Sequence, residues 1–293
     1  MMHLQYTNTP IVEISTPETI QAGIKLRVKR EDQNHPFISG NKWWKLKYNL
    51  EAAQQQGYKT LLTFGGAYSN HIYATAAAAH ELGFKSIGII RGEETLPLNA
   101  TLAFAKSRGM QLHYVSREAY RHKNEDDFIE QLKNRFGDFY LIPEGGSNTL
   151  AVKGVAEFAA SLQKETEFDY ICLPVGTGGT MVGMVQGTTS TRVLGFPVLK
   201  GASFLEDEIK PYTDSTNWQL IYDYHFGGYA KTTSILVSFI DEFEKKYNIP
   251  LDQVYTGKML FGVFDLIGKK FFKPGSTVLV LHTGGLQGKQ LNF

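Results

Sequence analysis

The sequence has a single cysteine, Cys172, which excludes a disulfide within the chain and fits a reducing compartment. It has no excess of either charge: 30 Lys and Arg residues oppose 29 Asp and Glu residues, so the basic surface that attracts nucleic acids or anionic membranes is absent. No apolar run approaches the ~20 residues that span a bilayer. The first residues also lack the basic-then-apolar order of a signal peptide. We therefore expect a cytoplasmic protein that binds neither nucleic acid nor membrane.

Short apolar runs alternate with longer helical stretches along the chain. The runs TLLTFGG (60–66) and YICLPV (170–175) are typical of buried strands, and an alanine-rich helix is predicted after the first. Ser69 or Asn70 would cap this helix at its start, and Gly83 would end it. Repeated units of this kind predict an α/β fold with open, largely parallel sheets and helices on both faces.

The length of 293 residues and the hydrophobic fraction of 42% favour a globular protein of two domains. The expected boundary lies near the glycine-rich segment PEGGSN (143–148). Ligand pockets form preferentially at such junctions.

A glycine-rich loop joins the apolar strand YICLPV to an apolar helical segment. Its residues are Gly176, Thr177, Gly178, Gly179 and Thr180. Glycines let the backbone N–H groups approach a phosphate closely, and the start of a helix adds a favourable dipole. The loop lacks the Lys-Ser/Thr pair of a P-loop and the spacing of a dinucleotide fingerprint. A plain turn between strand and helix is the alternative explanation.

Lys42 follows the turn SGN and directly precedes Trp43 and Trp44. A lysine becomes a nucleophile when burial or a neighbouring cation lowers its pKa, and Lys45 and Lys47 are close in sequence. Taken alone, a solvated surface lysine is the ordinary interpretation. A phosphate-binding loop together with a reactive lysine is, however, what pyridoxal 5'-phosphate (PLP) chemistry requires. The two tryptophans are interpreted as core packing, and Cys172 as an inert buried thiol.

Four further segments carry polar groups beside glycine. In GGAYSNH, capping explains Ser69 or Asn70 but not both together with His71. Tyr229 and Tyr255 each lie in a glycine-containing turn, where a phenol can donate or accept a proton, although half-buried structural tyrosines are also common. Thr283 follows a late strand, at the edge where open α/β sheets bind ligands. The eight histidines show no metal-binding spacing.

The chain resembles the PLP-dependent family that contains D-cysteine desulfhydrase and 1-aminocyclopropane-1-carboxylate (ACC) deaminase, which has the tryptophan synthase β-like fold, fold type II. The resemblance spans nearly the whole chain and rests on the combined motifs KRED…SGNK..KL, GG.YSNH, VGTGGT..G, YTGK and HTGG. It implies a homodimer that binds PLP and a small amino-acid substrate. It also implies a large PLP-binding domain, residues 1–50 and 147–293, and a small domain, residues 51–146.

The resemblance assigns roles by position. Lys42 would bind PLP covalently, and Ser69 would be the nucleophile or the proton-transfer residue. Asn70 would contact the pyridoxal 3-oxygen, and His71 would lie against the ring. The loop 176–180 would bind the phosphate. Tyr229 and Tyr255 would be the active-site tyrosines, which move protons or position the substrate carboxylate.

Two positions distinguish the family's activities. ACC deaminases carry Glu after the second tyrosine and Leu in the H-x-GG segment, whereas this chain has Thr256 and Thr283, which resembles the desulfhydrases. A carboxylate at the pyridine nitrogen would favour its protonation, and a threonine hydroxyl would not. We therefore expect β-elimination from D-cysteine or a similar β-substituted amino acid, giving a 2-oxo acid and ammonia. The alternatives are ACC deaminase activity and a non-catalytic protein that binds PLP or another phosphate ligand. The Trp43-Trp44 pair, which differs from many relatives, would alter the substrate pocket.

Overall fold

The computed structural model describes residues 4–290. The strands of this part are β1 (Ile11–Ile14), β2 (Lys25–Lys29), β3 (Thr60–Gly66), β4 (Lys85–Arg91), β5 (Met110–Val115), β6 (Tyr140–Ile142), β7 (Tyr170–Val175), β8 (Arg192–Pro197), β9 (Trp218–Leu220) and β10 (Thr277–Leu281). Its α-helices are α1 (Pro17–Ala22), α2 (Asn41–Gln55), α3 (Asn70–Leu82), α4 (Ala100–Ser107), α5 (Asp126–Phe136), α6 (Thr149–Glu165), α7 (Gly179–Gly187), α8 (Phe204–Ile209), α9 (Ser234–Tyr247) and α10 (Thr256–Gly268). Short 3₁₀ helices are Glu31–Gln33, Ala119–His122, Glu144–Gly146, Lys210–Tyr212, Tyr222–Tyr224 and Leu286–Gln290.

Two sheets organise the fold. The larger has the order β1-β2-β10-β7-β8-β9, and its neighbours pair in parallel except β1 with β2. The smaller has the order β5-β4-β3-β6 and is entirely parallel. The predicted α/β class with largely parallel sheets is therefore confirmed.

The strands of the smaller sheet lie between residues 60 and 142, inside the range 51–146 that the sequence assigns to a small domain. The predicted boundary after residue 50 falls inside α2, which continues unbroken to Gln55. The exact division of the chain into domains stays a prediction.

Alternate residues of the central strands enter two hydrophobic cores. Leu279 packs in one core with residues of α2, α6 and α7, and Val280 packs in the other with residues of α9 and α10. This is the arrangement expected when helices cover both faces of a parallel sheet. The first core also contains Leu61 and Ile142 of the smaller sheet, so it is continuous between the two sheets.

The local predictions for the third helix are confirmed. Ser69 is the N-cap residue of α3 and accepts backbone hydrogen bonds, and Gly83 ends the helix in the left-handed conformation. Trp43 and Trp44 are buried core residues, and Cys172 is a free, fully buried thiol whose pKa is raised by burial. No helix within residues 4–290 has the length and apolar character that crossing a membrane requires.

Candidate active site

The turn before Lys42 fixes the start of α2. Gly40 is its N-cap residue and has φ +70°, and its N–H donates to the Asn34 side-chain oxygen over 2.9 Å. A Cβ atom at Gly40 would lie 1.9 Å from the carbonyl oxygen of Thr283, just beyond β10. The turn therefore packs backbone against backbone with the end of a central strand, which only glycine permits. This contact places Lys42, two residues later, at the carboxyl edge of the larger sheet.

A cleft of about 670 Å³ lies at the carboxyl ends of strands from both sheets. This volume lies in the range typical of cofactor sites. The cleft brings together most of the residues expected from the sequence: Lys42, Ser69, Asn70, His71, Gly176, Thr177, Gly178, Thr180, Tyr229, Tyr255 and Thr283. Trp43 and Trp44 are not among its lining residues, so the expectation that this pair alters the substrate pocket is not supported.

Lys42 has the electrostatic surroundings of a nucleophile. Burial lowers the pKa of its ammonium group to about 8, because the protein solvates the charged form less well than water does. A substantial fraction of the amine is therefore neutral near physiological pH, the form that attacks an aldehyde. Burial, rather than a neighbouring cation, is the cause of this shift.

The glycine loop forms a cradle around Lys45 and Ser147. Gly178 has φ +78° and precedes α7, so the free N–H groups at the start of that helix face the cleft region. A Cβ at Gly179 would lie 2.7 Å from Ser147 Oγ and 3.2 Å from Lys45 Nζ. Lys45 Nζ is within 2.9 Å of Ser147 Oγ, which bonds Thr177 Oγ1 over 2.7 Å. The cradle thus combines a helix start, two hydroxyls and a buried amine, a donor set suited to a phosphate.

Three residues of this cradle were not among the sequence candidates: Asn41, Lys45 and Ser147. Asn41 Nδ2 donates to Thr180 Oγ1 over 2.7 Å and so ties the start of α2 to α7. Lys45 is one helical turn after Lys42, so the i, i+3 spacing was the signal that could have identified it. Burial is the largest cause that lowers the Lys45 pKa well below its usual value, followed by the charge of Lys42.

The start of α3 supplies Ser69 and Asn70. Ser69 Oγ accepts the backbone N–H groups of His71 and Ile72 over 3.2 and 3.3 Å, which leaves its own proton free to be donated. These two bonds also stabilise negative charge on the oxygen. The Asn70 side-chain oxygen accepts a hydrogen bond from Gln287, which joins α3 to the segment after β10.

His71 is held as a neutral imidazole. Thr63 donates its one hydroxyl proton to the Ile142 carbonyl, so its oxygen accepts from His71 Nε2 over 2.8 Å. Nδ1 is then an acceptor, and it has no hydrogen-bond partner within the described residues. Burial, followed by the charges of Lys42 and Lys45, lowers the His71 pKa well below its usual value. Because His71 Nδ1 has no partner among the described residues, it is available to accept a hydrogen bond from a bound ligand.

The two tyrosines meet at the opposite wall of the cleft. The rings of Tyr229 and Tyr255 lie edge to face with centroids 6.1 Å apart. Burial is the largest cause that raises the pKa of each phenol, so both are protonated donors at neutral pH. Lys258 Nζ donates to the carbonyls of His225 and Gly228, which fixes the loop before Tyr229.

Two predicted cofactor residues do not line the cleft. Gly179 lies behind the cradle, against Ser147 and Lys45. Thr256 is fully buried at the start of α10, where its hydroxyl donates to Asp252 Oδ1 over 2.6 Å and accepts the Asp252 N–H over 3.1 Å. The structure therefore does not bring the Thr256 hydroxyl to the position expected for a partner of the pyridine nitrogen. Thr283 lies in the cleft wall as expected.

These residues fit PLP. Gly176, Thr177, Gly178 and Thr180 line the cleft at the start of α7, Lys45 supplies a buried amine beside them, and Lys42 offers a second amine of lowered pKa in the same cleft.

Sequence comparison gives the same result. The family described as pyridoxal-phosphate dependent enzyme matches residues 2–284. The chain belongs to this family.

Two relatives and one solved structure show where this PLP enzyme lies within the family. A putative ACC deaminase of Pyrococcus abyssi is 31% identical over 92% of this chain and 86% of its own. A bifunctional D-cysteine desulfhydrase/ACC deaminase of Arabidopsis thaliana is 30% identical over 97% of this chain and 78% of its own. The crystal structure of an ACC deaminase homologue matches with a TM-score of 0.86 and 29% identity, covering 98% of this chain and 92% of that one. The PLP enzyme thus has fold type II.

The pKa of Lys42 predicts the pH dependence of PLP attachment. Only the neutral amine attacks the aldehyde, so the rate should rise with pH to a plateau above pH ~8 and fall about tenfold per unit well below it. Stopped-flow absorbance of the apoprotein mixed with PLP measures this rate, with N-acetyl-lysine methylamide as the unburied control. A rate that climbs through pH 10, as for the control, would contradict the lowered pKa.

Proposed function

We propose that this PLP enzyme catalyses β-elimination from D-cysteine or a similar β-substituted D-amino acid, giving a 2-oxo acid and ammonia. The proposal rests on Lys42, Ser69 and the tyrosine pair lining one cleft, and on threonine at positions 256 and 283, where ACC deaminases carry Glu and Leu. Asp252, the carboxylate close to Thr256, is bonded to backbone N–H groups at the start of α10. Neither segment therefore supplies a free carboxylate to the cleft.

Different residues of the cleft have different roles in the proposed reaction. When bound, PLP supplies an electron sink for the negative charge that develops at the substrate Cα. The Lys42 amine removes the Cα proton, since its lowered pKa lets it act as a base near neutral pH. The free N–H groups and the Ser69 hydroxyl at the start of α3 hold the substrate carboxylate. Tyr255 or Tyr229, both protonated, donates the proton that the leaving group needs.

ACC deaminase activity is the second candidate, favoured by the relatives named for it and by the free proton of Ser69. A serine oxygen that accepts two backbone N–H groups is suited to nucleophilic attack or proton relay. A non-catalytic PLP-binding protein needs the loop and the lysine alone, and the added serine and tyrosine pair disfavour it.

Product release from four amino acids distinguishes β-elimination from ACC deaminase activity. The PLP-loaded protein is given D-cysteine, L-cysteine, D-serine and ACC in parallel, and pyruvate, 2-oxobutanoate and sulfide are followed. We expect pyruvate and sulfide from D-cysteine, with kcat/KM at least about a hundredfold above that for ACC. Turnover of ACC at a comparable rate would show that the two threonines do not decide the reaction.

We also propose that the enzyme is a homodimer, as its resemblance to the desulfhydrase and deaminase family implies, and that it is cytoplasmic, as its composition and single cysteine favour. Light scattering of the purified protein at micromolar concentration measures its mass in solution. A mass of one chain would contradict the dimer.

A further inference from the structure

The wall of the cleft formed by the small sheet carries more positive than negative charge. Arg91, Arg117 and Lys123 line this wall, and Glu144 is its carboxylate. Lys123 Nζ lies 3.4 Å from Glu144 Oε2, so these two charges offset one another. Arg91 and Arg117 form no ion pair with any residue in the described part of the chain. The wall thus retains two uncompensated guanidinium groups.

Arg91 is an exposed residue that lines the cleft. It ends β4 and pairs in register with Gly66 of β3, three residues before Ser69. A Cβ at Gly66 would lie 3.7 Å from the Arg91 Nη2 atom, so the guanidinium lies over the turn that opens α3. Its centre is also 5.7 Å from the ring of the buried Tyr120. The packing of this ring limits where the guanidinium can move.

The charge of Arg91 also affects the pKa of Tyr229, on the opposite wall of the cleft. Burial raises the pKa of Tyr229, and Arg91 is among the groups that lower it again. Arg91 thus lies at the turn before α3, and its charge acts on Tyr229 across the cleft. A cleft lined by one sign of charge concentrates ligands of the opposite sign.

The other anionic groups of cofactor and substrate already have partners elsewhere. The cofactor phosphate would bind at the glycine cradle and Lys45, and the substrate α-carboxylate would bind at the start of α3. Glu208, the other carboxylate of the cleft lining, lies on α8 and forms no ion pair with Arg91 among the described residues. Arg91 and Arg117 are therefore available to bind a third anionic group of the ligands.

We propose that the preferred substrate carries an anionic group on its β-substituent, which Arg91 binds and Arg117 attracts. This inference rests on the proposed β-elimination and names its substrate class: amino acids whose sulfur or oxygen substituent ends in a carboxylate or another acid. In the reaction the Cα–H and Cβ–S bonds break and a Cα=Cβ bond forms. Lys42 takes the Cα proton, and sulfur leaves with the electron pair of the Cβ–S bond and takes a proton from Tyr229 or Tyr255 to become a thiol. The released enamine takes a proton at Cβ, water adds at C2 and ammonia leaves, which gives the 2-oxo acid.

A pair of isosteric substrates tests the proposal. S-carboxymethyl-D-cysteine carries the extra carboxylate, and S-carbamoylmethyl-D-cysteine replaces it with a neutral amide of the same shape. We expect kcat/KM about tenfold higher for the acid at low ionic strength, with the preference shrinking as salt screens the exposed arginines. The variant Arg91→Gln should reduce this ratio to about one, and Arg117→Gln should reduce it in part.

Arg121→Gln is the matched control, because Arg121 is exposed nearby and does not line the cleft. It should keep the tenfold ratio. If Arg91→Gln lowered kcat/KM equally for both substrates, Arg91 would serve the α-carboxylate or the shape of the cleft, and the proposal would be overturned. A wild-type ratio near one would overturn it as well.

A binding measurement distinguishes this inference from the proposed reaction. Titration of the PLP-loaded protein with each compound, followed by the change in visible absorbance, gives a dissociation constant that needs no turnover. Tenfold tighter binding of the acid, lost in Arg91→Gln, supports the anion site even if neither compound is eliminated. Elimination of both compounds with equal affinities supports the reaction and overturns the anion site.

Discussion

Replacement of Lys42 by alanine is expected to lower turnover by about 10⁴-fold or more, as loss of a residue central to covalent catalysis does. The same variant should lose the linkage that borohydride fixes to the protein, since the Lys42 amine has a lowered pKa and lines the cleft together with Ser69 and the tyrosine pair. Mass spectrometry of the reduced, digested protein locates the linkage, and the product assay measures turnover. The cofactor can still bind weakly, because the glycine cradle and Lys45 remain.

Lys47→Ala is the control for this experiment. Lys47 lies on the same helix but bonds Glu157 over 2.8 Å and faces away from the cleft. It should retain turnover and a borohydride-fixed cofactor. A Lys42→Ala protein that still carried the cofactor covalently within the cleft would refute the assignment of Lys42.

Replacement of Gly40 by alanine is expected to cost about 4 kcal/mol or more of folding stability, an exceptionally large effect for one methyl group. The backbone of Gly40 has φ +70° and ψ −144°, which residues with a Cβ rarely adopt. The added Cβ would also lie 1.9 Å from the oxygen and 2.2 Å from the carbon of the Thr283 carbonyl, so the strand end or the turn must move. Urea unfolding measures the loss. Any folded fraction should attach PLP more slowly, because Lys42 moves with the turn.

Gly57→Ala is the control for a glycine of positive φ that makes no packing contact. Gly57 follows the other end of α2 and has φ +77°, yet a Cβ there would meet no atom within 4 Å. Its replacement should cost only the backbone strain, about 1 kcal/mol. Equal stability losses in the two variants would show that contact with Thr283 does not constrain the active-site turn.

The local pattern of the chain determined much of the fold. Strand β3 begins and ends as the run TLLTFGG predicts, and α3 begins after Ser69 and ends at Gly83, because capping and left-handed glycine are properties of a few adjacent residues. Lys42 and the glycine loop were predicted as site residues from their combination and from the family's motifs, since neither segment taken alone indicates PLP chemistry. Helix α10 was not predicted, because Tyr255 and Thr256 were taken for part of a turn instead of the start of a helix.

Contacts between distant segments were decided only by the tertiary structure. Lys45 and Ser147 meet across 102 positions of sequence, and Asn41 reaches Thr180 across 139. The Thr256 hydroxyl turned out to bond Asp252 rather than face the cleft, because the carboxylate that caps α10 is four residues away and buried with it.

The sequence by itself determined the fold class and the cofactor, and it predicted that Lys42 carries this cofactor. These follow from hydrophobic periodicity, glycine placement and short motifs, which are all properties of neighbouring residues. The tertiary structure decided which groups share the cleft: the donor set around the phosphate cradle, the open acceptor of His71 and the unpaired charge of Arg91. Such groups come together because β3, β4, β7 and β10 end near one cleft, and no local pattern records which strands become neighbours.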